Sequence, residues 1–220
     1  MSSPTLLSDP VTYLLELLQG LPLTTSTRIV IGLVGLPGSG KSTLAAKLVD
    51  SVNERTQAAT AMALSMDGFH LSKAALAQFA DPQAALARRG SPWTFDPVRL
   101  AMNLQQLRET PDTRHTWPAF EHGVGDPVEH ALLIPPHVKL IILEGLYLLH
   151  RADGWQLTGL LDECWYLDVP MEVAMQRLVN RHMAAWGLSP EQAFARLAVN
   201  DRLNADIVAQ TRGWADRLMT

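Results

Sequence analysis

The 220-residue sequence predicts an α/β fold, a mainly parallel sheet with helices on both faces. Three observations carry that expectation. Short runs of β-branched and aliphatic residues (29–31, 61–66, 138–143 and 163–169) alternate with helical segments along the whole chain. The stretch 29–44, IVIGLVGLPGSGKSTL, runs from a buried-strand pattern through a glycine turn into a helix. The length fits one domain without a composition shift or internal repeat that would demand two.

In chain order, Ser8-Asp9-Pro10 supplies a cap and a first-turn proline, and 11–18 carries a helical apolar stripe. Residues 1–27 are therefore expected to be a helical extension packed on the domain. After the strand and helix of 29–49, the run 61–66 is a second buried strand that ends at Asp67-Gly68-Phe69-His70. The alanine-rich runs 73–79 and 82–88 read as short helices, and Asp96-Pro97 starts a helix to about residue 108. Residues 113–120 have partial strand character, and 138–143 (VKLIIL) is a central strand that ends in Glu144-Gly145. A short helix is expected over 157–161 and a strand over 163–169. The rest, 171–219, is expected to be mostly helical with a break at Gly187-Leu188-Ser189-Pro190, so that 171–200 forms a lid and C-terminal helices.

Composition excludes several functions. Net charge is −4 and the basic residues are scattered, which argues against a nucleic-acid partner or an acidic membrane surface. No stretch approaches the roughly 20 apolar residues of a membrane span. The first basic residue is Arg28 and Glu16 interrupts the apolar run before it, so no targeting signal is expected and the cytoplasm is the default. The single cysteine, Cys164, lies in an apolar run and reads as a core residue in a reducing compartment. The histidines share no close metal-ligand spacing, so no structural zinc site is expected.

Gly35-Leu36-Pro37-Gly38-Ser39-Gly40-Lys41-Ser42 is a full G-x-x-x-x-G-K-[ST] match in the strand–turn–helix context that a P-loop requires. Glycines let backbone N–H groups converge on phosphate oxygens, and the helix N-terminus adds positive potential. Gly35, Gly38, Ser39, Gly40, Lys41, Ser42 and Thr43 are the expected nucleotide contacts. Lys41 would reach the β- and γ-phosphates of ATP, and Ser42 would hold Mg²⁺.

Ligands of open parallel sheets sit outside the carboxyl ends of the strands. The P-loop, Asp67 and Glu144 all end predicted strands, and their convergence would serve phosphoryl transfer. Asp67 is the candidate base for the attacking hydroxyl, against the alternative of an ordinary Asp-Gly turn. Glu144, a lone carboxylate after an apolar strand, is assigned to the Mg²⁺ shell through water. Arg177 and Arg181 stand i,i+4 on one helix face and suit a lid that closes over the phosphates, against the alternative of a solvated face. His182 beside them has no expected catalytic part. Two loops, 88–97 and 121–127, mix glycine, proline, aromatic and charged residues as binding loops do. With the strand ends they give His70, Arg89, Trp93, Asp96, Phe120, His122, Asp126 and Tyr147 as acceptor-pocket candidates. Trp93, Phe120 and Tyr147 could equally be core aromatics, and Asp96 only a helix cap.

Taken together, the P-loop, Met66-Asp67-Gly68-Phe69-His70, Arg89-Gly90-Ser91-Pro92-Trp93-Thr94-Phe95-Asp96, Glu144-Gly145-Leu146-Tyr147-Leu148-Leu149 and Arg177-x-x-x-Arg181 resemble the P-loop kinases grouped with uridine kinase, phosphoribulokinase and bacterial pantothenate kinase. The resemblance runs from about residue 28 to 207. It is strongest to a branch described as nucleoside kinase-like, pantothenate kinase-like or fructose-transport kinase. It implies a P-loop NTPase fold with a five-stranded parallel core, ATP and Mg²⁺ as cofactors, and γ-phosphoryl transfer to a hydroxyl of a small metabolite. It implies Asp67 as the base, Glu144 as the strand-end acid, Arg177 and Arg181 as lid arginines, and a homodimer. The sequence departs from uridine kinases, which carry Asp-Ser-Phe-Tyr where this chain has Asp67-Gly68-Phe69-His70, and matches the family only loosely over 118–122. Both departures lie in the substrate region, so nucleosides, pantothenate-like molecules and sugars all stay open as acceptors. The chain lacks the Asn-Lys-x-Asp element of a GTPase and the paired acids of a motor ATPase. The alternative from another class is a regulatory protein that binds nucleotide and phosphorylates nothing; binding alone would not need Asp67.

Overall fold

The structure, a computed structural model, describes residues 3–21, 27–121 and 123–220. Its centre is β2 (Ile29–Gly35), buried at every position. β6 (Leu140–Gly145) pairs with it on one side and β7 (Glu163–Leu167) on the other, both parallel. β3 (Ala61–Ser65) lies outside β6, β8 (Arg217–Met219) outside β7, and β1 (Thr5–Leu6) outside β8. The order β1-β8-β7-β2-β6-β3 makes a six-stranded parallel sheet, where the family resemblance implied five strands. All six therefore end on one edge.

Alternation along the strands feeds two layers. Ile29, Ile31, Leu33, Leu140, Ile142 and Trp165 face α1 (Pro10–Gln19) and α2 (Lys41–Thr56). Val30, Val34, Ile141, Leu143 and Tyr166 face the other layer, where α5 (Pro97–Glu109), α6 (Met171–Trp186), α7 (Pro190–Val199) and α8 (Asp201–Gln210) bury their apolar positions. The expected helix starts are real. Asp9 accepts from Thr12 N, Asp96 from Arg99 N, and Ser189 forms a reciprocal capping box with Gln192. Gly187, at φ +63°, ends α6 in the left-handed conformation. Two shorter helices, α3 (Lys73–Leu76) and α4 (Pro82–Ala87), fill the connection after β3. Among the described residues no helix is long and apolar enough to cross a membrane.

Three expectations fail. Residues 157–161 form turns rather than a helix. The helical run expected to reach residue 219 ends earlier, because Asp216 exchanges hydrogen bonds with Cys164, N to O at 2.8 Å and Cys164 N to Oδ2 at 2.7 Å, drawing the last residues into β8. A strand was expected near 113–120 but not its partner. β4 (His115–Glu121) and β5 (Asp126–Ile134) form a separate antiparallel ribbon. The sequence of β5 concealed it: most of its residues lie at or near the surface, it contains Pro127, and His130 sits at φ +54°, so no clean two-residue period appears. A bulge at Pro118 bends β4, and Trp117 Nε1 donates to Ser65 O at 2.8 Å, fastening the ribbon to the end of β3.

Arg28 is 1% exposed at the start of β2. Its guanidinium donates to the carbonyls of Val138 (3.2 Å), Leu107 (3.4 Å), Thr113 (3.1 Å) and Pro135 (3.3 Å). One side chain thereby ties the approach to β6, the end of α5 and the His115–Ile134 end of the β4–β5 ribbon to the central strand. Arg28→Met should cost about 3 kcal/mol in urea unfolding, because buried acceptors lose a charged donor. A change under about 0.5 kcal/mol would show that those carbonyls find other donors.

Candidate active site

At the end of β2 the chain turns through Gly35–Gly40 into α2. Gly38 and Gly40 sit at φ +81° and +95°, and a Cβ on Gly38 would lie 2.3 Å from Ala174 O, so only glycine lets the loop meet the start of α6. Gly35 is equally constrained: a Cβ there would lie 2.7 Å from Ser39 Oγ. The N-cap of α2 is Gly40, which offers no side-chain acceptor, so the first N–H groups of the helix face outward uncapped beside Lys41, Ser42 and Thr43. Ser39 Oγ is buried in the same loop and has no hydrogen-bond partner among the described residues. Uncapped donors, a buried hydroxyl and an adjacent lysine are a donor set that fits a polyphosphate.

Glu144 is the electrostatic centre of the edge. In register it stands opposite Leu33 of β2 and Ser65 of β3, two residues before the P-loop and two before Asp67. It is 7% exposed. Burial pushes its carboxyl above the ordinary value; Asp67 adds to this, while Lys41 and hydrogen bonds from Ser65 and Ser42 pull the other way. That pattern puts Lys41, Ser42, Asp67 and Glu144 in one neighbourhood. Asp67 itself sits half-buried in a single 3₁₀ turn, Met66–Phe69, whose first N–H groups are capped by Ser65: Asp67 N donates to Ser65 Oγ at 3.1 Å. The available oxygens are one hydroxyl and two carboxylates. This suits a hard cation that takes one or two carboxylates and completes its shell with substrate phosphate and water.

Both arginines of α6 face this edge. Arg177 Nη1 donates to Ser39 O at 2.9 Å, and Arg177 and Arg181 line a 260 Å³ cleft with Gly38, Gly40, Lys41, Ser42 and Thr43. Arg177 is thus already docked on the P-loop, a contact expected to form mainly on lid closure.

On the other flank the loops gather. A Cβ on Gly68 would lie 2.1 Å from Pro118 O, so the turn carrying Asp67 packs directly on the ribbon. The His70 ring bonds Asp67 O through Nδ1 (2.8 Å) and stacks near Phe95 (3.9 Å) and Phe120 (4.7 Å). Arg89 lies over Phe120, 5.2 Å from the ring centre. It pairs with Asp126 at 2.6 Å and donates to Leu71 O (2.8 Å) and Gly125 O. Burial pushes the Asp126 carboxyl up, but the Lys73 N–H and the Arg89 guanidinium outweigh it and hold the group below its ordinary value. Residues of the two candidate binding loops therefore meet beside Asp67.

Four sequence assignments change. Tyr147 is fully buried; its hydroxyl donates to Gly90 O at 2.6 Å and its ring packs on Phe95 and Trp155, so it is core and lines no open pocket. Asp96 is the N-cap of α5, held by Arg99 N at 2.9 Å. Trp93 is 39% exposed, its ring centre 5.9 Å from that of Phe79. Arg89, expected to meet a substrate carboxylate, is committed to Asp126 and two carbonyls and works as a loop clamp. His122 lies outside the described residues. His182 is buried and lies 3.4 Å from Asp201.

Two sets of residues were missed. Ser65 bonds the Glu144 carboxylate and the Asp67 backbone N–H, and a serine two residues before an aspartate at a strand end was a legible capping signal. Arg88, Ser91, Asn200 and Asn204 form a second group. Arg88 donates to Val199 O (2.8 Å) and Asn200 Oδ1 (3.0 Å), Asn200 Nδ2 to Arg89 O (2.8 Å), and Ser91 Oγ to Asn204 Oδ1 (3.2 Å). Partners more than a hundred residues apart leave no local signal.

The model of the Phosphoribulokinase / Uridine kinase family matches residues 30–209. The chain belongs to this family. It is 38% identical over 184 residues to a Schizosaccharomyces pombe protein provisionally named a uridine kinase, covering 82% of this chain and 78% of that one. An ATP-dependent kinase-like protein of Aspergillus versicolor is 40% identical over 153 residues, 67% of this chain and 88% of its own. Among solved structures, a Silicibacter sp. TM1040 protein provisionally named a fructose transport system kinase superposes with a TM-score of 0.83 at 32% identity, covering 97% of this chain and 100% of that one. The protein is a P-loop kinase.

Glu144 gives the kinase a pH signature. A carboxyl whose native value is raised contributes stability while protonated, below its ordinary value of 4.5, and that contribution is lost as pH rises through the raised native value. Glu144→Gln should therefore melt at or above the wild-type temperature at neutral pH without added metal, with the difference closing in acid. A variant that melts lower at pH 7.5 than the wild type would show that the ionised carboxylate stabilises the fold.

Proposed function

We propose that this kinase transfers the γ-phosphoryl group of ATP, with Mg²⁺, to a hydroxyl of a small metabolite. The observation that carries the reading is the placement of Asp67 and Lys41 on opposite flanks of Glu144 at one sheet edge. Lys41 and the uncapped N–H groups of α2 bind the phosphates. Ser42 and Glu144 would hold Mg²⁺, which when bound offsets phosphate charge. Asp67 accepts the proton of the acceptor hydroxyl as its oxygen forms the new bond to phosphorus; the bond from phosphorus to the bridging oxygen breaks and ADP leaves. Arg177 and Arg181 meet the charge of the group in transit. Asp67 distinguishes this from simple nucleotide binding, which has no use for a carboxylate on the acceptor flank.

The acceptor flank is walled by His70 and Phe120, with Arg89 neutralised by Asp126. This favours a hydroxylated ring, a nucleoside or a sugar, that lies against the aromatic faces, over a carboxylate bound at Arg89. ADP release from Mg-ATP across nucleosides, sugars and pantothenate tests it: turnover with a nucleoside or sugar is expected, and turnover confined to pantothenate would reverse the preference.

With the acceptor so found, Asp67→Asn should lower kcat about 10²–10⁴-fold while ATP affinity stays within a few-fold. Near-normal kcat would remove Asp67 as the base. Lys41→Ala should abolish turnover and weaken ATP binding; unaltered turnover would refute the phosphate cradle.

The two arginines should separate. Because Arg177 is docked before any ligand arrives, Arg177→Ala should raise the ATP KM as well as lower kcat, whereas Arg181→Ala should act mainly on kcat. Equal kcat in the double variant would assign both to a solvated face.

A further inference from the structure

Between α7 and α8 stands one residue, Asn200, at φ −132° and ψ −62°, which closes the first helix and opens the second. An asparagine in that position ordinarily caps the helix it opens, yet α8 has no side-chain cap. The amide is spent instead on the candidate binding loop 88–97. Nδ2 donates to Arg89 O at 2.8 Å, while Oδ1 accepts from Arg88 Nη1 at 3.0 Å and from Asn204 Nδ2 at 3.3 Å.

From this joint a chain of contacts runs in each direction. Toward the nucleotide, Oδ2 of the next residue, Asp201, lies 3.4 Å from Nε2 of His182. The His182 ring is buried and its Nδ1 has no hydrogen-bond partner among the described residues, so Asp201 is the polar contact that holds it. His182 follows Arg181, which lines the P-loop cleft. Toward the acceptor, the loop that Asn200 holds is bonded to the turn carrying Asp67: Asp96 N donates to Phe69 O and Leu71 N to Thr94 O, both at 2.8 Å. Two adjacent pairs, 181–182 and 200–201, thus stand between the phosphate cleft and the base. Their crossing is loosely packed. An open cavity of about 580 Å³, lined in part by Arg181, His182, Asn200 and Asp201, leaves α6 room to shift against α8.

We propose that Asn200 and Asp201 are positioning residues that couple the two halves of the site. A nucleotide that draws Arg181 onto its phosphates orders residues 89–96, and with them the turn of Asp67, before any acceptor arrives. The proposal rests on the previous subsection's reading of the P-loop as the nucleotide site and of Asp67 as the base. The two side chains act through Arg89 O and His182 rather than on the reacting atoms. Coupling of this kind is reciprocal, so an acceptor seated at the loop would in turn tighten the nucleotide.

The test is hydrogen exchange of the full chain with and without Mg²⁺ and the β,γ-imido analogue of ATP, which cannot pass on its terminal phosphoryl group. In the wild type the analogue should slow exchange over 38–43, and by about fivefold or more over 89–96, the lower end of ordinary coupling. Asn200→Asp keeps both bonds to Oδ1 but sets a carboxylate oxygen against Arg89 O where a donor stood. Asp201→Ala removes the contact with His182 at a half-buried side chain. Each variant should keep the slowing at 38–43, which certifies that it is folded and binds, and lose the slowing over 89–96. A merely structural role would instead raise exchange over 89–96 equally with and without the analogue, leaving their ratio as in the wild type. Should Asn200→Asp lose the slowing at 38–43 as well, Asp201→Ala decides. Full slowing over 89–96 in either folded variant, or none there in the wild type, would overturn the coupling and leave the phosphate cradle standing. A wild type without slowing at 38–43 would overturn the cradle itself, and the coupling with it.

Discussion

A carboxylate kept almost out of water organises this kinase. Glu144 ends the strand next to the central one, and a charge there is costly unless other groups answer it. The answers come from two directions: Lys41 and Ser42 from the first turn of α2, and Ser65 from the end of β3. Each of those residues is where its own element places it. Parallel pairing in register sets Glu144 beside Ser65 and Leu33, and the glycine turn brings α2 back over the same edge. Meeting one buried charge and assembling a phosphate site are consequently the same act of packing. The tertiary contact that could most easily be lost, Asp67 with its turn, is fixed by Ser65 from beneath and by the ribbon at Gly68 from above.

The lid and the acceptor loops are not independent attachments. The turn around Gly90, itself at φ +103°, sits between them. On one side Arg88, Arg89 O and Ser91 bond Asn200 and Asn204 at the joint of α7 and α8. On the other side the Arg89 guanidinium clamps the 125–126 loop, and Tyr147 supports Gly90 O from the core. A movement of α7 therefore pulls on backbone that walls the acceptor flank. Gly38 meets Ala174 at van der Waals limit and Arg177 bonds Ser39, so α6 bears on the P-loop from the other end of the same helical layer. Ionic groups in these contacts act as positioning devices: Arg89, Arg88 and Arg28 all spend most of their donors on backbone carbonyls or amides rather than on carboxylates.

Much of this was legible in the sequence because the signals are local. A P-loop is a short motif in which φ angles and helix polarity are dictated within eight residues, so its residues and fold class could be read directly. Continuous apolar runs mark strands buried on both faces, and β2, β3, β6 and β7 fell where those runs lie. Caps at Asp9, Asp96 and Ser189 are equally local chemistry. The i,i+4 spacing of Arg177 and Arg181 correctly placed both on one face, and that face lines the P-loop cleft.

What only the tertiary structure decided is the fate of side chains whose alternatives are equal in energy until the rest of the chain is present. Arg89 could have met a substrate or a carboxylate of its own, and the arrival of Asp126 from a loop 37 positions away settled it. Tyr147 could have faced a pocket or the core; the unpaired carbonyl of Gly90 captured its hydroxyl. β1 and β8 are too short to announce themselves and exist because the edge of β7 offers unpaired backbone and Asp216 reaches Cys164. The sequence determined the phosphate site, since that site is built from neighbours along the chain. The walls around it belong to the tertiary structure, because each is a contact between residues that the chain brings together only when the sheet has formed.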